Sequence, residues 1–375
     1  MAMADKPRVT AASARTHTRK NTPSTPISFS GLCSKLLILI AAILISWGYS
    51  AIQPPPPKIC GSPDGPPVTA PRVLLHDGRY LSYKEAGVAK EKANFKIVTI
   101  HAYGRSRHDV FPASKELIKK LGIYFVSFDR AGYGQSDPNP KRTVKSEAYD
   151  IQELADHLQL GPRFYIISVS IGGYSAWACL KYIPERLAGA ALICPVTNYW
   201  WSGVPTSEAL KGFFEQPLGD QLAVGIAHYA PFLTYFWMTQ KWFPTSSTVQ
   251  RRFTNAQDLK AIEGLAKADV LIGKEPTQQG ASESMYRDMK SMFGKWEFSP
   301  VDLENPFPNN NGSVHIWQGD DDLLVSVRLQ RYIHGRLPWI HYHELPGQGH
   351  LLVGIKNLPD EILSALLIRD EKVLD

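Results

Sequence analysis

The sequence alternates short apolar runs with longer segments of helical length, and this alternation is the feature that most constrains the fold. The runs are too short for helices and are largely bounded by Gly, Pro, Asp or Asn. They cover residues 97–100, 124–128, 164–167, 189–193, 314–317 and 341–345. Between two of them, residues 144–158 place Val144, Ala148, Ile151 and Ala155 on one helical face. Strands that alternate with helices predict βαβ units, and therefore an α/β fold with a doubly wound, mostly parallel sheet.

The alternation is interrupted once, between residues 199 and 299, where no strand is predicted and aromatic residues are frequent. An insertion after a strand of such a sheet lies over the carboxyl ends of the strands, where ligands bind in this architecture. We therefore predict a helical cap at residues 199–299, between two parts of the core at residues 72–198 and 300–375. Most of the aromatic rings are expected to form the cap's own core.

The N-terminal region has a different composition. Residues 1–35 are basic and predict a disordered tail, whereas residues 36–52 are almost entirely apolar and residues 53–71 form a stiff linker rich in proline and glycine. The apolar stretch, with Trp47 and Tyr49 suited to a membrane interface, predicts a transmembrane signal anchor.

The charges around this segment predict its topology. Because the positive charge lies upstream, we expect a single-pass protein of the secretory pathway with a cytosolic tail and a lumenal catalytic domain. A start that is rich in Ser, Thr and Arg and poor in acids is also typical of organelle transit peptides. A plastid or mitochondrial location and a cleaved secretory signal therefore stay as alternatives.

Charge and cysteine content exclude several classes of function. The formal net charge is +6, but much of the excess belongs to the tail, and the remainder lacks the clustered basic face that nucleic-acid binding needs. The cysteines do not form a spaced framework and are expected to be free thiols: Cys33, Cys60, Cys179 and Cys194. His341 and His343 share one side of a predicted strand without an acidic or cysteine partner at ligand spacing, so we predict no metal site there.

A serine stands at a predicted strand-to-helix turn in the segment YIISVSIGGYSAW. Small residues at Ser168, Gly172 and Gly173 allow strand and helix to approach closely around Ser170. This is the geometry of a nucleophile elbow, which projects the serine hydroxyl above the sheet. The usual form is G-x-S-x-G, and here Ser168 takes the place of the first glycine. An ordinary turn with a capping serine is the alternative.

Two later loops supply the groups that such a serine needs, since its hydroxyl is inert without a base and the base needs an acid to orient it. The loop after residues 314–317 presents Asp320, Asp321 and Asp322, and His350 follows in a loop flanked by glycines. The order serine, acid, histidine is one of the known chain orders of a catalytic triad.

Two earlier loops complete the predicted site. The segment HAYG ends a strand, and its backbone N–H groups are expected to face a developing oxyanion together with the N–H of Ile171. The glycines Gly132 and Gly134 are too sparse for a dinucleotide fingerprint, because no third glycine follows in register. No cofactor is predicted.

In this order, the segments HAYG, DRAGYGQSDP, SVSIGG, the cap, GDDD and GQGH resemble the α/β-hydrolase superfamily, and more closely its capped, membrane-anchored members common in plants. The resemblance covers residues 73–368. It implies that Ser170 is the nucleophile, His350 the general base and Asp322 the acid.

The family spacing G-x-x-D-x-x-V, met at Gly319, Asp322 and Val325, is the reason to choose Asp322 among the three aspartates. The resemblance also implies that the amides of Tyr103 and Ile171 form the oxyanion hole. The chain departs from the family's usual pattern at Ala102 and at Ser168, where glycines are common.

The leading functional hypothesis is a serine hydrolase that cleaves a carboxylic ester through an acyl-enzyme on Ser170. The aromatic cap beside a membrane anchor favours a small-molecule ester with an apolar acyl group, such as a lipid ester. The alternative is a small-ligand receptor that keeps the same fold, and lyases and peptidases also share the triad. Acyl transfer through an H-x-x-x-x-D pattern at His315 and Asp320 is disfavoured, because His315 lies within a predicted strand.

Overall fold

The computed structural model describes residues 29–245, 255–267 and 274–368. The chain divides into two units, Met1–Ile52 and Gln53–Asp375. The described part of the first unit is a single helix, α1 (Phe29–Ile52), which starts within the segment predicted to be tail. Its window Gly31–Ser50 has a mean hydropathy of 2.0, and none of it is buried. By length and composition this helix could cross a membrane, but a secretory signal sequence has the same length and composition.

The second unit is built on an eight-stranded sheet with the order β1-β2-β4-β3-β5-β6-β7-β8. The strands are β1 (Arg72–Leu74), β2 (Tyr80–Gly87), β3 (Phe95–Ile100), β4 (Ile123–Phe128), β5 (Phe164–Val169), β6 (Leu187–Ile193), β7 (Val314–Gly319) and β8 (Ile340–Leu345). The six strands β3 to β8 all pair in parallel with one another. At one side of the sheet, β2 pairs antiparallel with both β4 and β1. The α/β fold class is thus confirmed, and the antiparallel strands β1 and β2 are an addition to the prediction.

Helices cover both faces of the sheet and fill the insertion. The helices outside the insertion are α2 (Lys115–Leu121), α3 (Val144–His157), α4 (Gly173–Tyr182), α10 (Val327–Arg336) and α11 (Leu358–Leu367). Those inside it are α5 (Thr206–Glu215), α6 (Leu218–Tyr229), α7 (Thr234–Thr239), α8 (Ala256–Lys267) and α9 (Met285–Phe293). Among the described residues of 199–299 there is no strand. The insertion is therefore helical where it is described.

Two hydrophobic clusters, one on each face of the sheet, hold these layers together. Neighbouring residues of a strand point to opposite faces, so Phe125 joins one cluster and Val126 the other. Leu154 of α3 and Trp177 of α4 bury their side chains in the first cluster, and Leu363 of α11 buries its side chain in the second. This packing removes apolar surface from water, which is the main favourable contribution to folding.

The segment predicted to be a linker makes hydrogen bonds to the insertion. The backbone N–H of Lys58 donates to the Gln279 carbonyl at 3.0 Å. The N–H of Cys60 donates to Oε1 of the same residue at 2.9 Å, and Cys60 is buried. The chain is thus attached to the folded unit before its first strand begins.

Candidate active site

Ser170 lies at a tight turn at the carboxyl end of the central strand β5. Its φ angle is 54°, in the left-handed region that non-glycine residues rarely adopt, so the backbone is strained at this residue. A 3-10 helix over Ser170–Gly172 follows directly and leads into α4. A Cβ atom at Gly172 would lie 2.8 Å from the carbonyl oxygen of His101, so only glycine allows this close approach. The turn holds the Ser170 side chain at the edge of the sheet where the other loops converge.

His350 lies between the serine and a carboxylate. The Nε2 atom of His350 is 2.9 Å from Oγ of Ser170, and its Nδ1 atom is 2.8 Å from Oδ2 of Asp322. Because an ionised carboxylate only accepts hydrogen bonds, Nδ1 is assigned as the donor to Asp322. Nε2 is then left without a proton and accepts the hydrogen bond from the Ser170 hydroxyl. The structure therefore brings the three predicted side chains into one continuous hydrogen-bonded chain.

The Asp322 carboxylate is completely buried and fixed by neighbouring N–H groups. Its Oδ1 atom accepts hydrogen bonds from the backbone N–H groups of Leu324 at 2.8 Å and Val325 at 2.9 Å. Its Oδ2 atom also accepts one from Nε2 of Gln318 at 2.9 Å. Burial acts to raise the pKa of Asp322, but His350 and the N–H groups of Val325 and Leu324 outweigh it and lower the pKa below its usual value. Asp322 is therefore ionised beside His350.

The two other aspartates of the acid loop have different partners. Asp320 accepts a hydrogen bond from the backbone N–H of Gly347 at 2.6 Å. Asp321 accepts one from the Asn255 side chain at 3.0 Å. Of the three aspartates, Asp322 is thus the one whose carboxylate contacts His350.

His350 itself is 6% exposed, so its protonation depends on its neighbours. Burial acts to lower the pKa of His350, but the charge and hydrogen bond of Asp322 outweigh it, and the pKa is raised above 6.5. An imidazole in this state takes up a proton readily, which is what a general base needs.

The residues predicted to form an oxyanion hole lie on two loops of this edge. Ile171 is the second residue of the 3-10 helix that starts at Ser170, so its N–H belongs to the first turn and has no partner within the helix. Tyr103 lies in the turn after β3, where the N–H of Arg105 donates to the carbonyl of Ala102 at 3.3 Å.

His101 fastens this turn to the neighbouring loop. Its Nδ1 atom lies 2.8 Å from the carbonyl oxygen of Ala102, and its Nε2 atom accepts the backbone N–H of Arg130 at 3.1 Å. Burial, reinforced by the charge of Arg130, lowers the pKa of His101 well below its usual value. His101 is therefore a neutral structural contact between the two loops.

The segment DRAGYGQSD connects the core to the insertion through a buried charge cluster. Asp129 accepts hydrogen bonds from the Ser82 hydroxyl at 2.5 Å and from the backbone N–H of Arg107 at 2.7 Å. Arg130 pairs with Asp288 of α9, and Arg142 contacts the same carboxylate. Sequence reasoning missed Asp288, because no local pattern in α9 indicates a partner so far away along the chain.

His315, the histidine of the H-x-x-x-x-D pattern, has partners of its own. One ring nitrogen of His315 contacts His343 at 2.9 Å and the other contacts the Ser313 hydroxyl at 2.9 Å, so both nitrogens are engaged within the sheet. The side chain of Cys194 is fully buried, and its sulfur lies within 4.8 Å of ligand atoms of Asp322 and His350. The thiols of Cys33, Cys60, Cys179 and Cys194 are free.

Comparisons with known proteins agree with this architecture. The sequence profile of the alpha/beta hydrolase family matches residues 97–362. No curated protein matches the sequence.

Several solved structures share the fold. A structure from a study of carboxylesterases of the thaumarchaeon Nitrososphaera gargenis has a TM-score of 0.53 and 17% identity, with 79% of this chain and 97% of that chain covered. The enol-lactonase of Burkholderia xenovorans LB400 has a TM-score of 0.53 and 17% identity, covering 79% and 98%. An alpha/beta hydrolase fold protein from Chitinophaga pinensis has a TM-score of 0.54 and 14% identity, covering 79% and 98%.

Proposed function

Because this chain belongs to the alpha/beta hydrolase family, we propose that it is a serine hydrolase that cleaves a carboxylic ester through an acyl-enzyme on Ser170. One observation carries the proposal: Ser170, His350 and Asp322 form a continuous hydrogen-bonded chain with distances of 2.9 and 2.8 Å. A nucleophile, a base and an orienting acid within hydrogen-bonding reach are the constellation that acyl transfer requires.

The reaction proceeds in two halves. In the first, Oγ of Ser170 attacks the ester carbonyl carbon while its proton passes to Nε2 of His350. The bond to the leaving alcohol then breaks, and His350 returns the proton to the alcohol oxygen. In the second half a water molecule attacks the acyl-enzyme, His350 takes its proton, and the carboxylic acid leaves as Ser170 recovers its proton. The net change is ester plus water to acid plus alcohol.

Backbone amides stabilise the negative charge that develops on the carbonyl oxygen. We assign this role to the N–H groups of Ile171 and Tyr103, because Ile171 directly follows the nucleophile and Tyr103 lies on the loop after β3. One such donor contributes about 3 kcal/mol to the transition state. Asp322 stays ionised and stabilises the imidazolium that forms at His350 in both halves.

The exposed side chains of the insertion support the proposed substrate class, and α1 supports the proposed location. Large aromatic side chains of the insertion are exposed, among them Tyr229 at 73% and Trp242 at 75%. We propose that this insertion is a cap that receives an apolar acyl group, as in a lipid ester. We also propose that α1 anchors the protein as a single-pass membrane protein of the secretory pathway with its catalytic domain in the lumen, as in the membrane-anchored plant members that the sequence resembles. A plastid or mitochondrial location is the alternative.

Hydrolysis of p-nitrophenyl esters of graded chain length tests the function and the substrate class together. We expect the wild type to release p-nitrophenol, with kcat/KM rising from acetyl toward longer acyl groups, and Ser170→Ala and His350→Ala to be inactive. A folded wild type that binds such esters without hydrolysing any of them would instead favour the small-ligand receptor.

A further inference from the structure

A carboxylate from the insertion holds the loop that carries His350. Asp258 lies on α8 and is 2% exposed. Its Oδ2 atom accepts a hydrogen bond from the backbone N–H of His350 at 3.1 Å, and its Oδ1 atom accepts one from the N–H of Leu351 at 2.7 Å. Both carboxylate oxygens therefore bind consecutive amides of the histidine loop. Hydrogen bonds of this type are about twice as strong as neutral ones.

The residue before His350 is small enough to allow this contact. A Cβ atom at Gly349 would lie 2.5 Å from Oδ1 of Asp258, closer than any side chain tolerates. A glycine at this position in the GQGH segment thus lets the carboxylate reach the backbone. The contact between Asp258 and the histidine loop therefore depends on the absence of a side chain at Gly349.

The first turn of α8 also holds the loop that carries the acid. Asn255 accepts the N–H of Asp258 at 2.8 Å and so caps the helix. Its side-chain Nδ2 atom donates to the backbone carbonyl of Asp321 at 3.1 Å and to the Asp321 carboxylate at 3.0 Å. The N–H of Asp321 in turn donates to the carbonyl of Gln348 at 3.0 Å. One end of α8 therefore joins the acid loop and the histidine loop.

We propose that Asp258 is a positioning residue of the triad, and that through Asp258 and Asn255 the placement of α8 sets the alignment of His350 with Ser170 and Asp322. The inference rests on the proposed function of that triad. In this proposal the insertion orients the general base as well as receiving the substrate. A displacement of α8 would withdraw the two amide contacts and with them the orientation of the general base.

The charge of Asp258 also acts on His350. Among the described residues, the imidazole contacts the Asp322 carboxylate and the Ser170 hydroxyl, the thiol of Cys194 lies near it, and the Asp258 carboxylate binds the backbone N–H of the same residue. Burial raises the pKa of Cys194 well above its usual value, so the thiol is neutral. Burial acts to lower the pKa of His350, and Asp322 first and Asp258 after it act to raise it. Loss of either negative charge should therefore lower the pKa of His350.

Two variants of the full-length protein in detergent test the proposal from both sides of the contact. In Asp258→Asn one oxygen is replaced by an NH₂ group that faces a backbone N–H, and the charge is lost. In Gly349→Ala the carboxylate is unchanged but the new methyl group displaces it. Glu304→Gln serves as the control, because it removes a negative charge from an exposed position.

The first measurement is the pKa of His350 by NMR with carbon-13-labelled histidine, assigned by the signal lost in His350→Ala. The second is the dependence of kcat and KM on pH with p-nitrophenyl acetate. We expect both variants to lower the pKa of His350 by about half a unit or more. We also expect kcat to fall about tenfold with little change in KM, since the contact orients the base and does not bind substrate.

The two proposals fail in different ways. Folded Asp258→Asn and Gly349→Ala proteins with the wild-type His350 pKa and the wild-type kcat would overturn the positioning role. If the wild type hydrolyses no ester, the proposed function fails, and the NMR comparison still decides whether Asp258 acts on His350. An equal effect of Glu304→Gln would also overturn the inference, because it would show a general response to lost charge.

Discussion

Arg130 and Asp288 form a completely buried, bidentate ion pair, with N–O distances of 2.6 and 2.7 Å. Arg130 follows strand β4 of the core, and Asp288 belongs to α9 of the insertion. The Tyr133 hydroxyl donates to the same carboxylate at 2.6 Å, and Arg142 contacts it as well. Burial acts to raise the pKa of Asp288, but Arg130 and Arg142 outweigh it and lower the pKa to about 2. This cluster attaches the insertion to the loop next to the candidate oxyanion hole.

Removing Asp288 should destabilise the protein strongly. Asp288→Ala leaves two buried guanidinium groups without their shared counter-ion, so we expect a loss of about 3–5 kcal/mol in the free energy of unfolding, measured by urea denaturation. Glu344→Ala is the comparison, because it breaks an ion pair with the half-exposed Arg331 and should cost less than about 1 kcal/mol. Similar losses in the two variants would contradict the importance of the buried cluster.

The dependence of activity on pH should report the protonation of His350. Only the neutral imidazole accepts the Ser170 proton, so kcat/KM should rise as the pH rises through a pKa above 6.5. In Asp322→Asn the charge that raises this pKa is lost, and the rise should move to lower pH. The same change removes the carboxylate that orients the ring, and kcat should fall about 10⁴-fold, as in other serine triads. A profile in Asp322→Asn that keeps the wild-type midpoint would contradict the assignment of Asp322.

Gly172, at the end of the 3-10 helix that starts at Ser170, should not tolerate a methyl group. A Cβ atom at Gly172 would lie 2.8 Å and 2.9 Å from the carbonyl oxygens of His101 and Ile100. Gly172→Ala should therefore cost about 2 kcal/mol of stability and displace Ser170. Gly225→Ala in α6 is the matched control, since nothing lies within 4 Å of its Cβ position and alanine favours helix by about 1 kcal/mol. Thermal unfolding separates the two, and a neutral Gly172→Ala would count against the close approach.

The Tyr103 side chain should be dispensable if its backbone amide is the oxyanion donor. Its hydroxyl is buried and has no hydrogen-bond partner among the described residues. Tyr103→Phe should therefore keep the wild-type kcat and raise the stability by up to about 1 kcal/mol, because an unpaired buried hydroxyl is removed. A drop in kcat of tenfold or more, measured with p-nitrophenyl esters, would show that the hydroxyl contacts the substrate and would contradict the assignment.

Motifs at strand ends made much of this architecture predictable from the sequence. Ser170 and His350 each lie in a glycine-containing turn shortly after an apolar run. Parallel strands bring their carboxyl ends to one edge of the sheet, so the two residues were expected to lie close together. Strand β2, which lies between β1 and β4, was missed, because its exposed positions include Lys84 and Glu85 and its apolar content is low. Helix α1 begins before the apolar stretch at residues 36–52, because polar residues such as Ser34 and Lys35 are also helical.

The contacts between the insertion and the core were beyond the reach of sequence patterns. Asp258 and Asp288 are ordinary acidic residues in amphipathic helices, and their roles depend on partners that are remote along the chain. Only the folded structure shows that one carboxylate binds the amide of His350 and that the other pairs with Arg130. The helix propensity of a segment predicts that it forms a helix, but it does not predict which distant group an acidic side chain of that helix contacts.

Mass spectrometry of the intact and digested protein after treatment with a fluorophosphonate tests the central claim most directly. A serine that is activated by a neighbouring imidazole reacts covalently with such a probe. We predict one adduct per wild-type chain, on the peptide that contains Ser170, with none in Ser170→Ala and a much slower reaction in His350→Ala. A folded wild-type protein that stays unmodified at Ser170, or that carries the adduct at another residue, would contradict the account.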